Sequence, residues 1–143
     1  MVKVNYIENA TVPGVLSYVV VAVRSGGGWL FVKHRERGGY EMPAGHPEAG
    51  ESSEEAASRE LAEETGAIKF TLEPVCYYSV EGHSGTKYGR LFYASVETLG
   101  DIADAEEIEG VRIFRKLPRN LSLPEVMTAL FRRAEEHLRY IQR

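Results

Sequence analysis

Residues 45–66 read GHPEAGESSEEAASRELAEETG. Within them Glu60, Glu63 and Glu64 stand three and four residues apart. On a 3.6-residue helix such positions share one face, and like charges at that spacing repel. A chain that sets three carboxylates side by side beside Arg59 calls for something cationic to hold them. A hard divalent cation such as Mg²⁺ suits that donor set, because it prefers carboxylate oxygens.

The same stretch carries its own helix punctuation. Ser52 followed by Glu55 predicts a capping box at the start, and Gly66 predicts a left-handed stop at the end. Ala57 and Leu61, one turn apart, mark the flank that packs inward, and Arg59 can pair with Glu63 four residues on. Glu54 and Glu55 read as a solvated or capping face.

Outward from the helix the pattern turns to strands. On the N-terminal side, Val2–Ile7, the valine-rich Gly14–Arg24 and Trp29–His34 are strand candidates, the last two joined by a glycine turn at 25–28. Residues 34–39 form a charged loop, and Tyr40–Ala44 leads through Pro43 into the acidic stretch. On the C-terminal side come Ile68–Leu72, Val75–Val80, Leu91–Val96 and Val111–Phe114, with a Gly-rich loop at 81–89 and an acidic loop at 100–110. Ser122 and Glu125 suggest a second capping box opening a helix that runs close to Arg143. Strands outnumber helices and connections vary in length, so the class is α+β, a mixed sheet with helices packed on it.

Composition narrows the function. The 143 residues fit one domain, 1–143, with 43% hydrophobic residues and no apolar run near the roughly 20 a spanning helix needs. The start, MVKVNYIENA, lacks a basic-then-apolar leader pattern. Cys76 is the only cysteine, which forbids an internal disulfide, fits a reducing cytoplasm, and reads as a small buried hydrophobe. A formal net charge of −4 argues against a stable nucleic-acid partner. A phosphate-bearing small molecule stays compatible, since a cation can bridge two sets of negative charge. His34, His46, His83 and His137 show no metal-ligand spacing, and His137 reads as a surface residue.

The acidic stretch resembles the signature of the Nudix hydrolase superfamily: Gly, five residues, Glu, seven residues, then Arg-Glu-aliphatic-any-Glu-Glu-any-Gly-aliphatic. Gly45, Glu51 and the run Arg59 to Gly66 fall on it. The last position departs, with Ala67 where a bulkier aliphatic is usual and Ile68 expected to fill the space. The resemblance implies an α/β/α sandwich with a central mixed sheet and a loop–helix–loop motif. It implies hydrolysis of a diphosphate bond in a nucleoside diphosphate linked to another moiety. Carried over by position, Glu63 and Glu64 would ligate Mg²⁺ or Mn²⁺, with the Gly45 carbonyl as a further ligand. Glu60 would serve as another ligand or help activate water, Arg59 would orient a carboxylate, and Glu51 would support the loop. Many members draw an additional ligand or base from a later loop, which makes Glu107, and secondarily Glu106, candidates beside the reading of an acidic surface.

Substrate contacts are weaker in the sequence. Arg35, Arg37 and Lys33 could meet phosphates or form a solvated loop, and Tyr40 could stack on a base or pack. His46, at a variable position of the motif, suggests a loop role. The flanks GGGWLFVKHRERG and GGYEMPAGHPEAGE resemble a bacterial branch acting on nucleoside triphosphates, including oxidised guanine nucleotides. The resulting expectation is an Mg²⁺-dependent pyrophosphohydrolase releasing nucleoside monophosphate and pyrophosphate, as monomer or homodimer. The rivals are an ADP-ribose or nucleotide-sugar pyrophosphatase, removal of pyrophosphate from RNA 5′ ends, and a non-catalytic nucleotide-sensing module. ADP-ribose enzymes often carry a proline about fifteen residues past the signature, where this chain has Gly82.

Overall fold

Alternating small apolar residues build the centre of the sheet and split its two faces. In the computed structural model, which describes residues 2–7, 12 and 15–142, the valine-rich stretch forms β2 (Leu16–Ser25). Gly14, where that strand was expected to begin, lies outside the described residues. Val19, Val21 and Val23 point to one face and Val20 and Ala22 to the other, all buried. Gly26 and Gly27, both at positive φ, turn the chain into β3 (Gly28–His34).

The remaining elements are β1 (Lys3–Ile7), β4 (Tyr40–Glu41), β5 (Ala44–Gly45), α1 (Ser53–Thr65), β6 (Ala67–Gly82), β7 (Gly85–Leu99), β8 (Ile108–Phe114) and α2 (Pro124–Ile141). The sheet runs β1-β6-β7-β2-β3-β4, with β5 on β2 and β8 on β3. Among the strand pairs of the described residues only β2 and β7 run parallel, which makes the sheet mixed.

Each face is covered by one helix. Ala56, Ala57 and Leu61 of α1 pack against Val19, Val21, Leu30 and Phe92. Met127, Leu130, Phe131 and Ala134 of α2 pack against Val20, Phe31, Tyr78 and Leu91 on the other side, where Cys76 is also buried. Full burial of a large apolar side chain stabilises by about 1.5–3 kcal/mol. The helix-sheet-helix layering therefore rests on two separate cores.

The predicted caps of α1 form. Ser52 Oγ accepts the Glu55 N–H at 3.0 Å, Glu55 Oε1 accepts the Ser52 N–H at 2.9 Å, and Gly66 closes the helix at φ 79.

Four expectations are corrected. Residues 68–72 and 75–80 belong to one strand, β6, which crosses Pro74 at a register irregularity. The expected 81–89 loop is the end of a long β6–β7 hairpin whose turn is only His83-Ser84. The second capping box does not form: Ser122 Oγ accepts the Gly39 N–H at 3.2 Å, and α2 starts from Leu123 at φ 49 with Pro124 in its first turn. Ile68 is 69% exposed and does not fill the slot at Ala67; strand alternation sends it outward while Ala67 packs directly into the core. Arg143, the expected end of α2, lies outside the described residues.

Candidate active site

The loop 46–52 and α1 bring the motif residues into one charged cluster. Arg59 is its hub. It forks onto Glu51, with Nε to Oε2 at 2.7 Å and Nη2 to Oε1 at 3.0 Å. It donates to Glu60 at 2.7 Å and to the His46 carbonyl at 3.1 Å, and lies 3.4 Å from Glu63. The pairing with Glu63 that the helix spacing suggested is present, and the loop folds back to add Glu51 in bidentate geometry, which is the stronger pairing. Arg59 holds the Glu51 carboxyl down at about 2, helped by the Glu48 N–H.

Glu60 and Glu64 sit deeper. Burial pushes Glu60 upward against the pull of Arg59. Glu64 is 4% exposed, and burial pushes its carboxyl up to about 9. Its Oε1 accepts the Ala44 N–H at 3.1 Å, while Glu60, Glu41 and Asp104 add like charge. Glu63 faces outward, with its side chain 44% exposed.

β5 presses its backbone against this cluster. A Cβ on Gly45 would run into the Glu60 carboxylate, so only glycine brings the strand that close.

Two carboxylates escaped the sequence reading. Glu41, on β4, is buried and clamped by Arg37 through two bonds of 2.7 and 2.9 Å. Asp104, in the loop before β8, acts on both Glu60 and Glu64 and donates its N–H to the Glu63 carbonyl at 3.1 Å. Each is a single acid without telling spacing, delivered by a non-local strand or loop. For Asp104 the position just before the last strand was the available signal.

The other candidates are spread out. Glu107 is exposed and lies 3.6 Å from Nε2 of His34, whose Nδ1 is buried without a partner. Glu106 is exposed in the same turn. Arg35 donates to the Ala105 carbonyl at 3.0 Å, which ties the 34–39 turn to the acidic loop. Tyr40 packs edge-on against Phe114, with Lys33 6.0 Å from its ring and paired to Glu109. His137 is not a free surface residue, since it pairs with Glu73 at 3.1 Å.

Residues 15–137 match the NUDIX domain. The chain belongs to the NUDIX family. It is 42% identical over 105 residues to YtkD of Bacillus subtilis strain 168, a proposed 8-oxo-dGTP diphosphatase; the match covers 73% of this chain and 66% of that protein. It resembles the crystal structure of the Bacillus subtilis pyrophosphohydrolase BsRppH at 31% identity and TM-score 0.79, over 94% of this chain and 90% of that one. A NUDIX hydrolase from Nitrosomonas europaea matches at 27% identity and TM-score 0.60, over 80% and 79% of the two chains.

NUDIX hydrolases generally need divalent cations, and the residues present fit one. The donors are hard oxygens, the backbone approaches through Gly45, and among the described residues the buried Glu64 has a single hydrogen bond for its two oxygens. Among the described residues no three acidic, His or Cys side chains close on one point as they stand. Glu60 is drawn to Arg59, and Glu63 faces outward. Among the described residues no helix is long and apolar enough to cross a membrane.

Proposed function

We propose that this NUDIX hydrolase cleaves nucleoside triphosphates to nucleoside monophosphate and pyrophosphate with Mg²⁺, or Mn²⁺, as cofactor. The observation that carries the reading is Glu64, buried beside the Ala44–Gly45 backbone, where burial and the like charge of Glu60, Glu41 and Asp104 push its carboxyl upward. A carboxyl kept protonated by burial exchanges its proton for a cation. The nearby cations are committed elsewhere, Arg59 to Glu51 and Glu60 and Arg37 to Glu41.

Glu60, Glu63 and Glu64 hold the cation in this reading, with the Gly45 carbonyl beside them. The bound ion would neutralise phosphate oxygens and lower the pKa of a coordinated water. Arg59 fixes Glu51 and the His46 carbonyl, so the loop keeps its place against α1. Glu60, buried but within reach of Arg59, is suited to take a proton from the attacking water. Likeness to YtkD and BsRppH supports a diphosphate-cleaving reaction, and the oxidised guanine nucleotide is the first substrate to try. A single cysteine, Cys76, supports a reducing cytoplasmic setting.

The test is a panel of canonical and oxidised nucleoside triphosphates, ADP-ribose, nucleotide sugars and 5′-triphosphorylated RNA, each with Mg²⁺ and with chelator. Monophosphate and pyrophosphate from the triphosphates, abolished by chelator, is the expected result. Cleavage restricted to ADP-ribose or RNA would move the substrate class, and binding without turnover under any cation would leave a sensing module.

A further inference from the structure

The motif loop has a second side that the acid cluster does not use. Gly45 turns its α-carbon toward Glu60, whereas Ala44 packs on the α2-side core. His46 follows the side of Ala44 and lands on Tyr18, ring centroids 4.7 Å apart and tilted by 39°. Its Nδ1 donates to the Ser17 carbonyl at 2.8 Å, which fixes the tautomer and leaves Nε2 without a partner among the described residues. That carbonyl sits where β2 slips register against β7, between Leu16 and Tyr18. Such irregularities re-aim side chains near active sites. Here Leu16 packs with the α1-side core while Tyr18, two residues on, stands beside His46 on the opposite side. Lys87 Nζ lies 5.9 Å from the Tyr18 ring centroid and has no carboxylate partner among the described residues. His46 and Lys87 are exposed and Tyr18 is half-buried.

We propose that Tyr18, His46 and Lys87 form a stacking platform for the substrate's nucleobase, one residue step from the acid cluster that takes its phosphates. The proposal rests on the nucleotide-hydrolase reading above. A pinned, exposed ring backed by a second ring offers a planar ligand a preorganised face, and a cation beside it favours an electron-rich π system. The contact is tolerant of base identity, because every base has a π face. Base choice would then be made elsewhere in the cleft.

Calorimetry with GMP and with ribose 5-phosphate separates base from phosphate contacts without needing turnover. Wild type should bind GMP the tighter. His46→Ala should weaken GMP about tenfold and leave ribose 5-phosphate unchanged. His46→Phe, which keeps a ring but loses the Ser17 bond, should restore GMP affinity. Lys87→Ala should weaken GMP about threefold with ribose 5-phosphate unchanged. Equal affinity of wild type for the two ligands overturns the proposal. So does equal loss of both in His46→Ala, or a Phe variant as poor as the Ala variant, since His46 would then only pin the loop. Equal loss of both ligands in Lys87→Ala would overturn Lys87's place in the platform by making it a phosphate contact. Platform-dependent GMP binding with no diphosphate cleaved would remove the hydrolase reading and keep the platform; turnover with unaltered GMP binding in the variants would do the reverse.

Discussion

Glu64→Gln should flatten the pH dependence of the metal-free protein's stability. Burial pushes the Glu64 carboxyl up to about 9 from an ordinary 4.5. Below pH 4.5 it is protonated in folded and unfolded chains alike, and its stabilising contribution is fully present. Above that pH the unfolded chain releases the proton while the folded chain keeps it. Stability is then lost at about 1.4 kcal/mol per pH unit until the folded group itself ionises near pH 9. Between pH 4.5 and 7 the loss amounts to about 3 kcal/mol, a large share of the 5–15 kcal/mol typical of a domain. Glutamine does not titrate. Its amide oxygen can still accept the Ala44 N–H, and its buried NH₂ adds an offset that is the same at every pH.

The measurement is urea unfolding of both proteins in chelator from pH 4.5 to 8. Glu60, raised by burial, and Glu51, lowered by Arg59, contribute to both profiles and largely cancel in the difference. The wild-type curve should fall away from the variant's by about 3 kcal/mol at pH 7. Mg²⁺ should then stabilise wild type increasingly as pH rises, because binding displaces the proton, and should help the variant far less. Parallel profiles in chelator would refute the account of Glu64 as a protonated site waiting for a cation.

Three further substitutions probe the same region. Glu63→Gln should change the unfolding free energy by no more than about 0.5 kcal/mol, since the side chain is part-exposed and 3.4 Å from Arg59, yet abolish most turnover and Mn²⁺ binding measured by electron paramagnetic resonance; normal turnover would strike Glu63 from the ligand set. Leu61→Ala, fully buried between α1 and the sheet, should cost about 2–5 kcal/mol in urea, and a negligible loss would mean the helix faces are misassigned. Gly45→Ala should fold, because the flexible end of Glu60 can swing aside, but should lower kcat on the order of a hundredfold by displacing that carboxylate; unchanged kcat would separate Glu60 from the chemistry.

What was legible in the sequence was local. Ser52, Glu55 and Gly66 fix α1 through bonds among near neighbours, so the written pattern and the folded cap coincide. Ser122 and Glu125 carry the same pattern, but Ser122 is claimed by Gly39 and Tyr40, where β4 begins, more than 80 residues earlier in the chain. Pro74 reads as a break because it lacks an N–H. It is tolerated because it sits at a register irregularity on the part of β6 that β1 does not cover. The row Glu60, Glu63, Glu64 was readable from spacing, whereas Glu41 and Asp104 reach the cluster only through tertiary structure.

The same helix is asked to do two opposed things. Glu63 and Glu64 lie in its last turn, where the macrodipole disfavours negative charge, and no basic residue stands there to offset them. Arg59 relieves the flank facing Glu51 and Glu60 and reaches Glu63 at 3.4 Å, but has no contact with the buried Glu64. Isolated, thirteen residues with this charge would barely be helical. What holds α1 is its other side, where Ala56, Ala57 and Leu61 are fully buried, together with the caps at both ends. The packing face thus supplies the stability that the acid face gives up. A cation would remove the repulsion without touching the core, so loading should raise the stability of α1 specifically. Amide exchange in α1 should slow on adding Mg²⁺ while α2, on the opposite core, is unaffected; equal slowing in both helices would mean the ion acts on the fold as a whole and not through this face.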